Sequence, residues 1–303
     1  MEMNDISKRI LELKHERHAV ILAHNYVAPE IQDLADFTGD SLELSIKAES
    51  VRAEVIVFCG VRFMAETAKL LSPDSTVLLP KSDAGCPMAE MADPEAVAAC
   101  RRKNPDAVFV AYVNSTARVK ALVDICCTSG NAEKIIGSIP QDRPIVFLPD
   151  RNLGGNMMKK LGREMELWPG CCPIHDQVTV EMIRRARAAA PGAPVLVHPE
   201  CRVEVVDEAD EALSTAGILR FCRESSGKRF IIGTEQGILH RLRRENPGKE
   251  FLPLEPAMVC CDMKKVTLED LHRSLRDMTE RIELDPELAA AAVRPIRRML
   301  DVK

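Results

Sequence analysis

The sequence predicts an α/β protein of three similar three-layer α/β/α domains with small parallel sheets, related by pseudo-threefold symmetry around a central active site. Two observations predict it. Short, nearly continuous apolar runs alternate with helical patterns along the chain, as expected for parallel strands joined by crossover helices and covered on both faces. Three sets of landmarks also recur with a period near 87 residues. The strand-like runs AVILAH, AVFVAY and APVLVH place His24, Tyr112 and His198 alike, 88 and 86 residues apart. Ser41, Ser129 and Ser214 follow at intervals of 88 and 85, and Cys86, Cys172 and Cys260 at 86 and 88. One such agreement would mean little, but three sets define a repeat. The period is too long for a solenoid, which leaves three duplicated domains.

The elements follow in order. Met1–Glu16 carries Ile6, Ile10 and Leu13 among charges, an amphipathic helix rather than a secretory signal. Strands are expected at Ala19–Ala23, Val55–Phe58, Val77–Leu79, Ala107–Val113, Ile145–Leu148, Val195–Val197 and Phe230–Ile232. Asp40-Ser41, Thr128-Ser129 and Ser214-Thr215 read as helix starts, because Ser, Thr and Asp are N-cap residues. Leu153-Gly154-Gly155-Asn156 reads as a turn, since neither a Walker P-loop nor a G-x-G-x-x-G fingerprint is present. The expected domains are 1–86, 87–172 and 173–263. The tail from Thr267 begins another helix with no strand after it, so 264–303 is assigned to completing the first domain.

Composition narrows the function. The 303 residues are 46% apolar and carry a formal net charge of −5, which argues against nucleic-acid binding through phosphate contacts. Arg184/Arg185/Arg187 and Arg241/Arg243/Arg244 fall in helical patterns and read as solvated faces. No run reaches the roughly 18 apolar residues of a membrane span. A cytoplasmic protein is expected, whose eleven cysteines form no structural disulfides.

Ligands of parallel sheets bind beyond the carboxyl ends of the strands. Residues two apart on a strand point the same way. The pairs His24/Tyr26, Tyr112/Asn114 and His198/Glu200 therefore project toward one site. Any single pair would more simply make local hydrogen bonds; three corresponding pairs favour a site. The helix starts add free N–H groups and dipoles suited to carboxylates or phosphate. Cys59, Cys100 and Cys222 read as buried thiols, while Cys126, Cys127 and Cys201 lie beside the site without repeated partners. No clustered C-x-x-C spacing occurs. One cysteine per repeat, Cys86, Cys172 and Cys260, fits a [4Fe–4S] cluster with an open iron acting as a Lewis acid, and fits three structural thiols equally well. Spacing does not choose between Cys171 and Cys172, or between Cys260 and Cys261.

The chain resembles the quinolinate synthases. The motifs run in order as ILAHNY at 21–26, GDSLELS at 39–45, FCGVRFMAETAK at 58–69, AGCPMAEM at 84–91, YVNSTARVKA at 112–121 and CTSGNAEKI at 127–135, then FLPDRNLG, WPGCCPIH, HPEC, IGTEQG and CCDMKKVTLE. The resemblance implies a threefold α/β arrangement around one oxygen-sensitive [4Fe–4S] cluster, and a transferase of NAD biosynthesis. The implied reaction condenses iminoaspartate with dihydroxyacetone phosphate to quinolinate, with loss of phosphate and two waters. It implies Cys86, Cys172 and Cys260 as the metal ligands. His24, Ser41, Tyr112, Val113, Asn114, Ser129, His198, Pro199, Glu200, Ser214 and Thr215 are the implied substrate contacts, and Glu200, His24, Tyr26, Tyr112 and His175 the catalytic set. L-Aspartate oxidase is the implied functional partner, as supplier of the unstable imine. Some relatives carry a C-x-x-C pair near the last ligand; here the stretch reads C-C-D-M, so no such redox switch is expected. An iron–sulfur electron carrier or oxygen sensor with the same thiolates is the rival, and it would have no use for this many polar residues around the cluster.

Overall fold

The computed structural model describes residues 4–302 and contains three four-stranded sheets, every pairing parallel. The first holds β1 (Ala19–His24), β2 (Phe37–Gly39), β3 (Val55–Cys59) and β4 (Thr76–Leu78). The second holds β5 (Val108–Tyr112), β6 (Ile125–Cys127), β7 (Ile145–Leu148) and β8 (Glu166–Leu167). The third holds β9 (Val195–Val197), β10 (Glu211–Ala212), β11 (Arg229–Gly233) and β12 (Glu250–Pro253). Each comes from one consecutive stretch, in the strand order second, first, third, fourth. Helices flank all three, so the molecule is an assembly of three similar α/β/α layers. The described part of the first expected helix is Asp5–Glu16; Met1, Glu2 and Met3 lie outside the described residues. Among the described residues no helix is long and apolar enough to cross a membrane.

A shared device shows how closely the units repeat. Asp36, Asp124 and Asp210, 88 and 86 residues apart, each accept one strand N–H: from Ile21 at 2.8 Å, Phe109 at 2.8 Å and Val195 at 2.7 Å. Each also pairs with a cation from the preceding helix, Lys14 at 2.7 Å, Arg101 at 2.7 Å and Arg187 at 2.9 Å. The carboxylate thereby satisfies the donor left free where the first strand outruns its neighbour. The middle unit departs in one respect. Ala23 pairs with Cys59 and Val197 with Gly233, both 36 residues on, whereas Ala111 pairs with Leu148, 37 on. One extra residue enters between its first and third strands.

Several expectations are corrected. Leu153–Asn156 is no turn: it lies inside the helix Arg151–Leu161, started by Asp150, whose carboxylate accepts the Leu153 N–H at 2.7 Å. The glycine there serves packing, since a Cβ on Gly154 would sit 2.5 Å from Leu167 Cδ2 and 2.9 Å from Phe147 Cδ1. Thr128-Ser129 starts a turn rather than a helix; the helix itself opens at Ala132. Arg184, Arg185 and Arg187 are solvated and paired to acids. Arg241, however, reaches across to the first unit, donating to Asn25 Oδ1 at 3.1 Å and Thr38 O at 2.8 Å.

The tail divides. The helix Leu268–Asp277 packs on Asp5–Glu16, and Leu79 and Ile282 donate backbone bonds to Glu280 and Val77, all in the first unit. The helix Pro286–Asp301 goes instead to the second unit. Its Ala292, Ile296 and Met299 recur at helical spacing and are buried in the core that contains Phe109, Val110 and Ile135. A further apolar core runs without a break from Ile21 and Phe58 of the first unit to Leu196 and Phe230 of the third. These packings fix the three sheets relative to one another and aim their carboxyl ends at one cavity.

Candidate active site

The cavity and its open mouth together span about 680 Å³ of space not filled by atoms. All six members of the strand-end pairs line it: His24, Tyr26, Tyr112, Asn114, His198 and Glu200. β1 and β5 end at the first residue of their pairs, His24 and Tyr112, while β9 ends one residue before His198, whose N–H still reaches Gly233 O at 3.2 Å. The second residue of each pair lies in the following turn. There the Tyr26 and Glu200 N–H groups donate to Nδ1 of His24 at 3.2 Å and of His198 at 3.3 Å. The local hydrogen bonds and the shared site thus coexist.

Two helix starts contribute Ser41 and Thr215 to the wall, and the turn before the helix Ala132–Ser138 contributes Ser129. These are spaced 88 and 86 residues, the interval of the strand ends. Ser214, one residue earlier, is the N-cap and turns its hydroxyl to the Gly217 N–H at 3.1 Å. Val113 and Pro199, the other expected substrate contacts, are not among the residues that line the cavity. The Val113 N–H goes to Cys127 O at 2.8 Å, and Pro199 O accepts Asn156 Nδ2 at 2.9 Å. Asn114 Oδ1 is buried at the cavity without a partner, an acceptor left for a donor not made by the protein.

Glu200 is the electrostatic centre. Its Oε2 lies 2.6 Å from His175 Nδ1 and 3.6 Å from His198 Nδ1. Burial alone would push this carboxyl up, but His198, His175 and a hydrogen bond from Tyr112 hold it well below the usual carboxylate range. Burial, aided by Lys264 and His198, holds His24 down at about 3; burial, aided by His175, holds His198 down at about 4. Both rings are neutral at pH 7. Burial pushes the Tyr26 and Tyr112 phenols well up, so both are neutral O–H groups. A chain of hydrogen bonds continues from Glu200 through His175. Nε2 of that ring lies 2.8 Å from Thr234 Oγ1, which lies 2.7 Å from the Tyr26 hydroxyl, itself 2.8 Å from Thr215 Oγ1.

The Glu200 loop is gripped from the second unit. Asn152 Nδ2 donates to Glu200 O at 3.0 Å, and Asn156 Nδ2 donates to Pro199 O and to Cys201 O at 2.8 Å. Sequence reasoning missed these asparagines because the surrounding glycines read as a turn. It also missed Thr234, Glu235 and Asp150, whose positions relate to one another through the third strands. The extra residue in the middle unit breaks the period there.

Three thiols face the cavity, one from each sheet's unit: Cys86, Cys172 and Cys260. Cys86 and Cys172 each precede a proline that opens a short helix. Each sulfur accepts N–H groups of its own turn, from Ala89 and Met88, from His175, and from Met263 and Asp262. Such donors favour thiolate and hence metal binding, although burial pushes the Cys86 thiol up to about 12 and the other two above the ordinary range. Cys171 and Cys261 do not line the cavity, and Cys261 is exposed. Among the described residues, the ligand atoms that lie within 4.8 Å of one another are those of Cys172, His175 and Glu200; the three thiols form no such group. Three thiols lining one cavity are soft sulfur donors of the kind that iron–sulfur groups take, so the chemistry of the donor set fits such a group.

Comparison with known proteins agrees with this geometry. The family model described as quinolinate synthetase A protein matches residues 8–301. A quinolinate synthase of Methanoregula boonei is 50% identical over 295 residues, covering 97% of each chain. One of Geobacter sp. strain M21 is 48% identical over 302 residues, covering 100% of this chain and 99% of its own. One of Thermus thermophilus is 46% identical over 301 residues, covering 98% of this chain and 97% of its own. A match over nearly the full length, around a site of this kind, means that the chain belongs to the quinolinate synthetase A family and is an enzyme of that type.

Proposed function

We propose that the protein condenses iminoaspartate with dihydroxyacetone phosphate to quinolinate in NAD biosynthesis, with release of phosphate and two waters. The observation that carries this reading is the convergence, on one cavity in a chain of this family, of three strand-end pairs and three thiols. Cys86, Cys172 and Cys260 would hold a [4Fe–4S] cluster; when bound, its open iron supplies a Lewis acid for the loss of a hydroxyl as water.

The remaining steps belong to the chain's own groups. Ser41, Ser129 and Thr215 stand at the wall where phosphate and carboxylates need donors. Asn114 takes a substrate N–H or O–H on its unpartnered Oδ1. Glu200, ionised and within reach of the cavity, removes the proton beside a carbonyl. His175 holds the carboxylate ionised by donating its Nδ1–H to Glu200, and its Nε2 accepts from the Thr234 hydroxyl, which ties Tyr26 into the same network. The neutral rings of His24 and His198 and the Tyr112 phenol orient hydroxyl groups without adding charge. An imine that hydrolyses readily is best supplied by an adjacent L-aspartate oxidase. The protein would then be cytoplasmic and its cluster oxygen-sensitive.

The test is an anaerobic assay with both substrates. Quinolinate and phosphate should appear in equal amounts. A cluster-loaded protein that forms neither would overturn the proposal and favour an electron carrier or oxygen sensor.

A further inference from the structure

One ion pair at the cavity wall joins a buried carboxylate, Glu235, to a half-buried ammonium, Lys264. Glu235 follows β11, and its carboxylate is almost wholly buried. Oε1 accepts the Cys260 N–H at 3.2 Å, and Oε2 accepts the Gly237 N–H at 2.7 Å. Lys264 Nζ lies 2.8 Å from the same Oε1 and donates to the backbone carbonyl of Tyr26. The path therefore runs from the backbone of a proposed cluster ligand in the third unit to the backbone of the cavity-facing phenol in the first.

The surroundings leave this path little freedom. A Cβ on Gly237 would sit 2.7 Å from Glu235 Oε2, 2.7 Å from Tyr26 Cα and 2.8 Å from Lys264 Nζ. Gln32 Nε2 closes the junction from the first unit, donating to Asn25 O, Val27 O and Gly237 O at 3.0, 2.9 and 3.0 Å. Its Oε1 and Asn25 Nδ2 are left without partners, so the amides are committed to shape rather than to full pairing. Such an ion pair is a weak source of stability but a strong constraint on geometry, because removing Lys264 strands the buried Glu235 carboxylate.

We infer that Glu235 and Lys264 are positioning residues for the reaction, their ion pair fixing Tyr26 relative to Cys260 and so the substrate-facing phenol relative to the cluster. The inference rests on the functional reading above. Its test uses the full chain, reconstituted anaerobically, as Lys264→Met, Glu235→Gln and the double variant. Iron content, visible absorption, the rate of iron release to a chelator, and kcat and KM are measured on each. Both single variants should keep the cluster absorption and release iron several-fold faster. Their kcat should fall about 10- to 100-fold, the cost of a small misplacement. KM should change by less than about threefold, as for an interaction felt mainly in the transition state. The double variant should be no slower than Lys264→Met, since the pair acts as a unit. If Lys264→Met takes up no iron, Lys264→Gln, which can still donate to Tyr26 O, is read in its place. Wild-type kcat and wild-type iron release in either single variant would overturn the inference, as would losses that multiply in the double. A wild-type chain that holds its cluster but makes no quinolinate would instead overturn the functional reading, and the release rates would still decide the coupling.

Discussion

Glu200 shows how the surroundings of a single side chain define its role. A buried carboxylate is costly unless neighbours hold its charge, and here His175, His198 and Tyr112 do so. Glu200→Gln keeps the volume and removes the charge. It should leave the cluster's absorption intact and lower kcat by about 100-fold or more, the range general-base catalysis supplies; turnover near the wild-type rate would sink the assignment. The histidines add a second prediction. His24 and His198 are held at about 3 and about 4, against 6.5 for a free imidazole. As pH falls from 6.5 toward 4 the unfolded chain therefore binds protons that the folded chain does not, and stability falls with pH across that window. Melting temperatures of His24→Gln should decline less steeply over it than those of the parent; equal slopes would contradict the burial argument. These residues were legible in the sequence because the strand ends recur at 88 and 86 residues. The serine series was misread by one residue in the third unit. A hydroxyl at Ser214 and another at Thr215 are equivalent to a period count, and only helix geometry separates the cap from the residue that faces the cavity.

The helix Arg151–Leu161 makes a comparable point for a whole element. Asp150 caps it, Gly154 lets it lie against β7, and Asn152 and Asn156 reach the loop that presents Glu200. Asn156→Leu removes two buried donors from the carbonyls of Pro199 and Cys201. It should cost about 1–3 kcal/mol of stability and lower kcat through a displaced Glu200, measured by denaturant unfolding and steady-state kinetics. Loss of stability with unchanged kcat would show that the loop holds itself. The Asp36, Asp124 and Asp210 device belongs to the same scale. Asp124→Asn keeps an acceptor for the Phe109 N–H but weakens the Arg101 pair, a half-exposed contact of about 1 kcal/mol or less; a larger loss would mean that the carboxylate does more than finish the strand. Seven strands were readable as apolar runs. The other five, such as Glu166–Leu167 and Glu211–Ala212, were not, because two to four residues carry no period and three of the five open on a glutamate. The helix was not read there because Gly154-Gly155 resembled a turn, whereas Gly154 serves close packing rather than a bend.

Across the whole molecule, each unit brings one strand-end pair and one thiol to the cavity, so the site exists only when all three are packed. The continuous core between first and third units, Arg241 on Asn25, and the helix Pro286–Asp301 on the second unit supply that packing. The last of these could not be read from order along the chain. A terminal helix with no strand after it can close on any unit with an open apolar face, and its stripe of Ala292, Ile296 and Met299 fits the second. The central claim is that one cluster is held by Cys86, Cys172 and Cys260. Its most direct test is iron content with visible absorption of five serine variants, prepared without oxygen. Cys171→Ser and Cys261→Ser should keep about four irons per chain and the parent spectrum, while Cys86→Ser, Cys172→Ser and Cys260→Ser should each lose the cluster. A full cluster in Cys172→Ser or Cys260→Ser, with loss in the adjacent variant, would contradict the account.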